Sequence, residues 1–352
     1  MRRWNLWICY VLPGLLVSCV CGGAPLSAEE SVAVAMWDGA VAEVPDSGDV
    51  DVPDAGTSDA DVPDMDVLDT DVSEMDTPAP EFLVYSTRCT TPRWYRRVGR
   101  GGFRSTEDGW AVLASDPTTP LVILVHGNQT SLSRSMEMGC DLWRCLRRQG
   151  EKFRLLVWSW DADRACLSVQ MDSRIKASRA DAQGTLLAGF LRMLPRETPV
   201  VLIGYSFGCR TIGGAAQLDA GGEWMGKIIA SGRDVADVRP MSLILVAAAM
   251  DDTGFQSWGA MNVALNVADD CVLTVNPCDQ ALGLYPVISD TGRPAMGQNG
   301  PSAVPADNAG KIQLLDVSDE VGPIHQWECY FGSCALRCQI VRAVRSVTCA
   351  AE

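Results

Sequence analysis

The chain has 352 residues and a net charge of −15, and its acidic residues are unevenly distributed. Between Arg3 and Arg88 there is no Lys or Arg, and 17 of the 44 Asp and Glu residues lie between Glu29 and Glu81. From residue 82 onward, 27 acidic residues are balanced by 27 Lys and Arg, so this part of the chain is nearly neutral. The composition therefore lacks the electrostatic footprint of a nucleic-acid-binding protein, and that class of partner is excluded.

The first 21 residues have a basic start, then an apolar stretch of about 16 residues that a Pro-Gly pair interrupts, then small residues. This stretch is short and interrupted for a membrane span, and it predicts an export signal. Leu16 to Cys19 resembles the bacterial lipobox, which implies that Cys19 is acylated after signal cleavage. The exported protein would then be anchored to a membrane on the non-cytoplasmic side. Ordinary secretion with cleavage near Ala24 or Ala28, and an uncleaved signal anchor, are the alternatives.

Residues 22–80 consist mainly of Asp, Val, Pro, Ala and Ser, and the sequence DVPD occurs twice. Such a segment cannot bury enough apolar area to offset its chain entropy, and its like charges repel one another. It is predicted to be a disordered acidic linker that reaches roughly 45 Å as a random coil. Calcium binding by Asp64, Asp66, Asp69 and Asp71 is the alternative, but the glycine and closing glutamate of an EF-hand loop are missing.

Fourteen cysteines are more than a reduced cytosolic enzyme usually carries, and export would let some of them form disulfides. Four of them crowd the C-terminus, namely Cys329, Cys334, Cys338 and Cys349. Zinc is the alternative for this group, but it has no C-x-x-C pair and only one histidine nearby. We therefore predict neither a metal nor a cofactor, and spacing alone does not reveal the pairing.

Residues 82–352 are predicted to form one domain that begins with short extended stretches. Phe82 to Ser86 and Gly109 to Ala114 are predicted as edge strands, and the arginine-rich region from Arg93 to Arg104 between them as turns. These arginines are expected to form a solvated face, with an anionic partner as the alternative.

Apolar runs that alternate with helical patterns follow along the chain. Buried strands are predicted at Leu121 to Val125, Phe153 to Trp158, Val200 to Ile203, Met241 to Ala249, Cys271 to Val275 and Lys311 to Val317. Helices are predicted at 132–146, 169–194 and 250–266 and over about twenty residues after His325, with an insert at 219–240 and a loop at 281–310. This alternation predicts an α/β fold with a doubly wound, mostly parallel sheet, whose ligands lie at the carboxyl ends of the strands.

The stretch GYSFG, residues 204–208, joins a buried strand to a helix rich in small residues. A G-x-S-x-G pentapeptide at such a junction holds its serine on a strained turn with the hydroxyl exposed, and its two glycines leave room for the strand and the helix. Ser206 is therefore the candidate nucleophile.

A serine nucleophile needs a base, and the chain has two histidines. His126 follows a strand at a place suited to a structural role, whereas His325 lies in the loop after the last strand, so His325 is the candidate base. The acid must come between 206 and 325 in the chain order of this type of triad. Asp279, in a turn after a strand, is favoured, with Asp251, Asp252 and Asp316 as alternatives.

The tetrahedral intermediate of acyl transfer needs backbone N–H donors aimed at its oxyanion. One is expected from Phe207, the residue after the nucleophile. The other is expected from the loop after His126, at Asn128 or Gln129.

Five motifs in order give residues 110–340 a resemblance to the α/β-hydrolase superfamily. They are HGN at 126–128, WSW at 158–160, GYSFG at 204–208, NPCD at 276–279 and the late His325. The same motifs are similar to those of a group of uncharacterised bacterial α/β-hydrolase proteins. The superfamily resemblance implies the fold and a Ser-Asp-His mechanism on Ser206, Asp279 and His325, and the closer group implies no substrate. The chain differs from compact esterases in its acidic linker, its cysteine count and its lack of a large cap insertion.

These features predict a serine hydrolase that acts on a small-molecule ester, thioester or amide. An acyltransferase that uses the same residues with an alcohol acceptor is one alternative. A non-catalytic envelope module that binds a partner or glycan through its tryptophan-bearing loops is another, because fold alone does not establish function.

Overall fold

A computed structural model describes residues 81–98, 102–228 and 239–351 of the chain. The predicted export signal with Cys19 and the predicted linker at 22–80 lie outside the described residues. Within those ranges, no helix has both the length and the apolar composition needed to cross a membrane.

The described residues contain a nine-stranded sheet with the order β11-β10-β9-β6-β4-β5-β1-β2-β3. Neighbours from β11 to β1 run parallel, and β2 and β3 are added antiparallel at one edge. The strands are β1 Phe82–Ser86, β2 Arg93–Val98, β3 Gly102–Thr106, β4 Leu121–Val125, β5 Arg154–Ser159, β6 Val200–Tyr205, β9 Met241–Val246, β10 Asp270–Val275 and β11 Ile312–Asp316, and a separate hairpin joins β7 Glu223–Trp224 to β8 Lys227–Ile228.

In the part of the chain that the structure describes, four helices have 12 to 25 residues and seven have four to six. They are α1 Gly109–Ala114, α2 Leu132–Arg148, α3 Val169–Met193, α4 Gly208–Asp219, α5 Gln280–Gly283, α6 Tyr285–Ile288, α7 Met296–Asn299, α8 Ala306–Ala309, α9 Ser318–Val321, α10 Trp327–Gly332 and α11 Cys334–Ala351. Helix α3 packs along α4, while α2 packs on β1 and β5 and α11 packs on β6, β9 and β10. The predicted doubly wound, mostly parallel α/β sheet is confirmed.

The central strands form because their residues are apolar on both faces. Every residue of β4, β6 and β9 is buried, so these runs are continuous rather than alternating, as parallel strands covered by helices require. The two long helices that follow β4 and β5 begin at serine N-caps. Ser131 accepts a hydrogen bond from the Arg134 N–H, and Ser168 accepts one from the Met171 N–H.

The prediction for the first edge of the sheet was right for the strand at Phe82–Ser86 and wrong for the residues that follow it. Gly109–Ala114 is helix α1, and the arginine-rich region forms strands β2 and β3, which leaves β1 in the interior between β5 and β2. The arginines suit a strand because their long stems cover apolar surface while the charged groups find partners. Arg96 pairs with Glu81, and the Arg97 guanidinium lies 4.0 Å from the centre of the Trp143 ring.

Three predictions for the C-terminal half also need correction. Residues 250–266 form turns with one 3₁₀ turn at Ala264–Asn266 instead of a helix. The backbone folds back so closely that a Cβ on Gly259 would lie 2.1 Å from the Thr253 carbonyl oxygen. The loop at 281–310 contains four short helices, and the last helix is split in two at Ser333. The cysteines of the described residues are free thiols in this structure, and disulfide formation after export stays a prediction.

Gly208 tests how closely α4 approaches the sheet, and Gly189 in α3 is the control. A Cβ on Gly208 would lie 2.2 Å from the Val125 carbonyl oxygen, whereas a Cβ on Gly189 in α3 would meet nothing within 4 Å. We expect Gly208→Ala to lower the free energy of unfolding by about 3 kcal/mol, because backbone atoms must move apart. Gly189→Ala should raise it by about 0.5 to 1 kcal/mol, since alanine favours a helix. Urea denaturation of both variants measures this, and equal stabilities would contradict the close contact.

Candidate active site

Ser206 lies in the turn between β6 and α4, with a backbone φ of 54°. This left-handed conformation is strained for a residue with a side chain. The structure holds it by a hydrogen bond of 2.9 Å from the Ser206 N–H to the Val246 carbonyl oxygen at the end of β9. Glycine is also needed at position 204, because a Cβ on Gly204 would lie 2.8 Å from the backbone of Cys209.

The imidazole of His325 lies against the Ser206 hydroxyl. Its Nε2 is 2.9 Å from Ser206 Oγ, and its Nδ1 is 2.7 Å from Asp279 Oδ2. The Tyr205 hydroxyl donates a hydrogen bond of 3.1 Å to the His325 carbonyl oxygen, and the two rings stack with their centres 5.6 Å apart. The strand residue before the serine therefore helps to orient the imidazole.

Asp279 is buried and held by several donors. Its Oδ1 accepts a hydrogen bond of 2.9 Å from the Leu282 N–H as the N-cap of α5, and its Oδ2 accepts one of 2.6 Å from the Tyr330 hydroxyl. Burial opposes ionisation, but the charge interaction and hydrogen bond with His325, together with the bonds from Tyr330 and Leu282, hold the pKa of Asp279 below its ordinary value. Asp279 is therefore ionised at neutral pH.

Tyr330 was not predicted from the sequence, and it supports the carboxylate from α10. Burial and the neighbouring Asp279 charge raise the pKa of the Tyr330 phenol above its ordinary value, so it remains a hydrogen-bond donor. Asn276, from the same turn as Asp279, donates to the Tyr330 oxygen at 3.2 Å and to the Gly322 carbonyl oxygen at 2.9 Å. The Asn276 amide was visible as part of the NPCD motif, whereas nothing in the sequence pairs Tyr330 with Asp279.

Two of the three alternative acids, Asp251 and Asp316, have other hydrogen-bond partners. Asp251 Oδ1 accepts hydrogen bonds from Tyr285 at 3.0 Å and from Thr291 at 2.9 Å. Asp316 accepts hydrogen bonds from Ser318, and those bonds lower the pKa of its exposed carboxyl. Of the four carboxylates considered, Asp279 is the one hydrogen bonded to the His325 ring.

His126 occupies a structural position at the end of β4. Its Nδ1 lies 2.8 Å from the Gly127 carbonyl oxygen, its Nε2 accepts from the Trp160 N–H at 3.1 Å, and its ring stacks on the Trp160 ring. Burial lowers the pKa of His126 to about 3, with an opposing contribution from the bond to Gly127 and a further lowering by Arg88. The ring is therefore neutral, and it carries its proton on Nδ1 because Nε2 is an acceptor.

The loop after His126 lies directly beside the serine. A Cβ on Gly127 would be 2.8 Å from Ser206 Cβ, so only glycine allows this approach. The Gln129 N–H donates to the Ala162 carbonyl oxygen at 3.1 Å and to the Asn128 side-chain oxygen at 2.8 Å. Phe207 is buried at the start of α4, next to the serine. Of the two loop residues predicted as oxyanion donors, Gln129 thus already uses its N–H within the protein.

Comparison with solved structures finds esterases and a cutinase-like protein at low similarity. An acetyl xylan esterase has a TM-score of 0.35 and 14% identity, over 66% of this chain and 99% of the esterase chain. The catalytic core domain of acetyl xylan esterase from Trichoderma reesei has a TM-score of 0.34 and 13% identity, over 65% of this chain and 98% of that chain. A cutinase-like protein from Cryptococcus sp. has a TM-score of 0.29 and 11% identity, over 68% of this chain and 93% of that chain.

No family model matches the chain. No curated protein matches it at a significant level. The fold class follows from the order of the strands in the mostly parallel sheet and from the serine turn between β6 and α4. The protein has an α/β-hydrolase-type fold.

Proposed function

We propose that the protein is a serine hydrolase that cleaves a carboxylic ester, thioester or amide through an acyl-enzyme intermediate. The observation that carries this proposal is the continuous hydrogen-bonded chain from Ser206 Oγ through the His325 ring to Asp279, with distances of 2.9 and 2.7 Å. It lies at the carboxyl ends of the parallel strands, where ligands of doubly wound sheets bind.

In this mechanism Ser206 Oγ attacks the acyl carbon while His325 Nε2 takes its proton. Asp279 fixes the proton of the neutral ring on Nδ1 and stabilises the imidazolium that forms. The imidazolium then protonates the leaving group, and the acyl-enzyme remains on Ser206. A water molecule, deprotonated by His325, repeats the sequence and releases the acid.

The negative oxygen of the tetrahedral intermediate is stabilised by backbone N–H groups. We assign one to Phe207, which follows the nucleophile, and the other to Asn128 in preference to Gln129. The hydrogen bond of the Gln129 N–H to Ala162 favours Asn128, since an N–H already paired at 3.1 Å is a poorer donor to a new oxygen.

The first 80 residues support a proposal about location. Cys19 would carry a lipid anchor after signal cleavage, residues 22–80 would act as an acidic tether, and the hydrolase domain from residue 82 would work outside the cytoplasmic membrane. Mass spectrometry of the mature N-terminal peptide from a bacterial host tests this. A peptide that begins at an unmodified residue after Cys19 would contradict lipidation.

A fluorophosphonate probe tests the proposed chemistry, because it forms a covalent bond only with an activated serine. The wild-type protein should be labelled, Ser206→Ala should not, and Ser115→Ala, which changes an exposed serine remote from the site, should be labelled like the wild type. Circular dichroism checks that all three proteins are folded. Equal labelling of Ser206→Ala would exclude Ser206 as the nucleophile.

A series of p-nitrophenyl esters then separates the remaining functions. Hydrolysis defines the acyl chain that the site accepts. If the probe labels Ser206 and every ester is inert, an amide substrate or an acyl transfer to an alcohol is the better assignment. Absence of both labelling and hydrolysis would favour the non-catalytic binding module.

A further inference from the structure

Arg88 lies in the loop after β1. Because β1 runs parallel to its neighbour β5, this loop lies at the carboxyl ends of the parallel strands, where Ser206 also lies. Its side chain is only 13% exposed. Arginine is rarely buried unless its donors are paired, so its contacts indicate what it holds in place.

The Arg88 guanidinium connects the ends of three strands. Its Nε donates to Ser159 Oγ, the last residue of β5, at 2.9 Å. One terminal nitrogen donates to the Thr130 carbonyl oxygen and lies 3.4 Å from His126 Nε2, and both of these residues belong to the loop after β4. The other terminal nitrogen lies 3.4 Å from the exposed carboxylate of Asp163.

The segment 126–130, which we call the oxyanion loop, is therefore attached at both ends. At its start the Trp160 N–H and Arg88 point to His126 Nε2, and at its end Arg88 binds the Thr130 carbonyl oxygen. Asn128, assigned above as an oxyanion donor, lies between these two attachment points. A shift of either end would move its N–H relative to Ser206, which the loop contacts at Gly127.

The charge of Arg88 also acts on the histidine of this loop. Nε2 of a neutral ring has one lone pair, which the Trp160 N–H approaches at 3.1 Å and the guanidinium shares more weakly at 3.4 Å, and only the neutral ring offers it. A protonated His126 would place a second positive charge 3.4 Å from Arg88 and would break the bond to Trp160. Arg88 thus stabilises the one tautomer of His126 that keeps the loop in place.

We propose that Arg88 is a positioning residue for catalysis, which holds the oxyanion loop so that its N–H groups meet the developing negative charge. The inference rests on the proposed function. Lysine would not serve equally, because a single ammonium group lacks the planar fork of donors that reaches Ser159, Thr130 and His126 together.

The expected effect falls on the chemical step. An N–H that stabilises charge in the transition state contributes little to ground-state binding, so its displacement lowers kcat more than it changes KM. For Arg88→Ala we expect kcat for p-nitrophenyl acetate to fall by about 100-fold, the lower end of what loss of one oxyanion donor costs, with KM within about threefold. Phosphonylation of Ser206 by the fluorophosphonate should slow by a similar factor, since it also develops a negative oxygen.

The experiment compares full-length wild type, Arg88→Ala, Arg88→Lys and Arg96→Ala. Arg96 is the matched control, because its side chain is 45% exposed and forms an ion pair with Glu81, the residue before strand β1. Each protein is assayed with and without guanidinium chloride in the tens of millimolar, with sodium chloride at equal ionic strength as the salt control. Guanidinium should restore kcat of Arg88→Ala at least tenfold, and sodium chloride should not.

Several outcomes would overturn the inference. The first is that kcat and the phosphonylation rate of Arg88→Ala both stay within twofold of the wild type. The second is that only KM changes. The third is that guanidinium does not restore the lost kcat. If Arg88→Ala does not fold, Arg88→Lys decides, since a folded lysine variant with full activity would equally contradict the role. Ser206→Ala separates the failure of this inference from the failure of the proposed function. If Ser206→Ala is inactive, the proposed function stands in all of these cases, and if it is fully active, the proposed function itself is wrong.

Discussion

His325→Ala should lower kcat for ester hydrolysis on the order of 10⁵- to 10⁶-fold, because Ser206 would lose the base that accepts its proton. No second histidine can replace it. The His126 ring is buried, its Nε2 is bound to the Trp160 N–H, and burial lowers the pKa of His126 to about 3. Steady-state kinetics with p-nitrophenyl acetate, together with the rate of fluorophosphonate labelling, measures the effect.

The control for this variant is Gln326→Ala. Gln326 is exposed and follows His325 directly, so its substitution tests whether any change in this loop disturbs the site. We expect its kcat to remain within about twofold of the wild type, as is usual for surface positions. A His325→Ala protein that is folded and retains a tenth or more of the wild-type kcat would show that another group is the base.

Asp279→Asn should lower kcat by about 10⁴-fold, as the corresponding change does in serine proteases, while the structure is retained. The amide can present its NH₂ group to Nδ1 and so stabilise the ring with its proton on Nε2, which then cannot accept the proton of Ser206. The substitution is nearly isosteric. The Asn oxygen, in the place of Oδ1, can still accept from the Leu282 N–H, and the Tyr330 hydroxyl oxygen can accept from the new NH₂ group in the place of Oδ2.

Asp316→Asn is the matched control, because Asp316 was an alternative acid and its exposed side chain is bound by Ser318. Its kcat should stay within about twofold of the wild type. A loss of less than tenfold in Asp279→Asn, or a larger loss in Asp316→Asn than in Asp279→Asn, would contradict the assignment of the acid.

Asp279→Asn should also change how stability depends on pH. The pKa of Asp279 is lower in the folded protein than the ordinary value near 4, so ionisation of this carboxyl stabilises the fold above about pH 4. That contribution is lost as the pH falls through the lower, folded-state pKa. The free-energy difference between wild type and Asp279→Asn should therefore shrink in urea denaturation below about pH 4, and a constant difference would contradict the paired carboxylate.

The centre of the fold could be predicted from the sequence because its signals are local. β4 was predicted at the residues it occupies, and β6 extends only two residues beyond its predicted end, since continuous apolar runs are typical of parallel strands. Helix α3 also ends within a residue of the prediction. At the first edge, the residues after β1 were predicted wrongly because β2 carries arginines, Arg96 and Arg97, whose partners, Glu81 and Trp143, come from other segments.

The candidate site, like the fold, could be predicted from the sequence only in part. Ser206, Asp279 and His325 could be named because each follows a strand in a chain order that a triad requires, and the structure brings their side chains into one hydrogen-bonded chain. Tyr330 and Arg88 could not be named. Their roles depend on contacts with residues 51 and 42 positions away in sequence, Asp279 and Thr130, and no spacing rule connects such pairs.

The order of the strands has a consequence for how catalytic competence arises. Ser206 follows β6 in the middle of the sheet, whereas His325 follows β11, which is the outermost strand and is attached only through β10. We expect the contact between these two residues, 119 positions apart, to form late, because the intervening chain must first be confined. An intermediate with a finished centre but an undocked β11 would thus hold its serine hydroxyl without a base, and the return of hydrolysis during refolding would report the docking of this last strand.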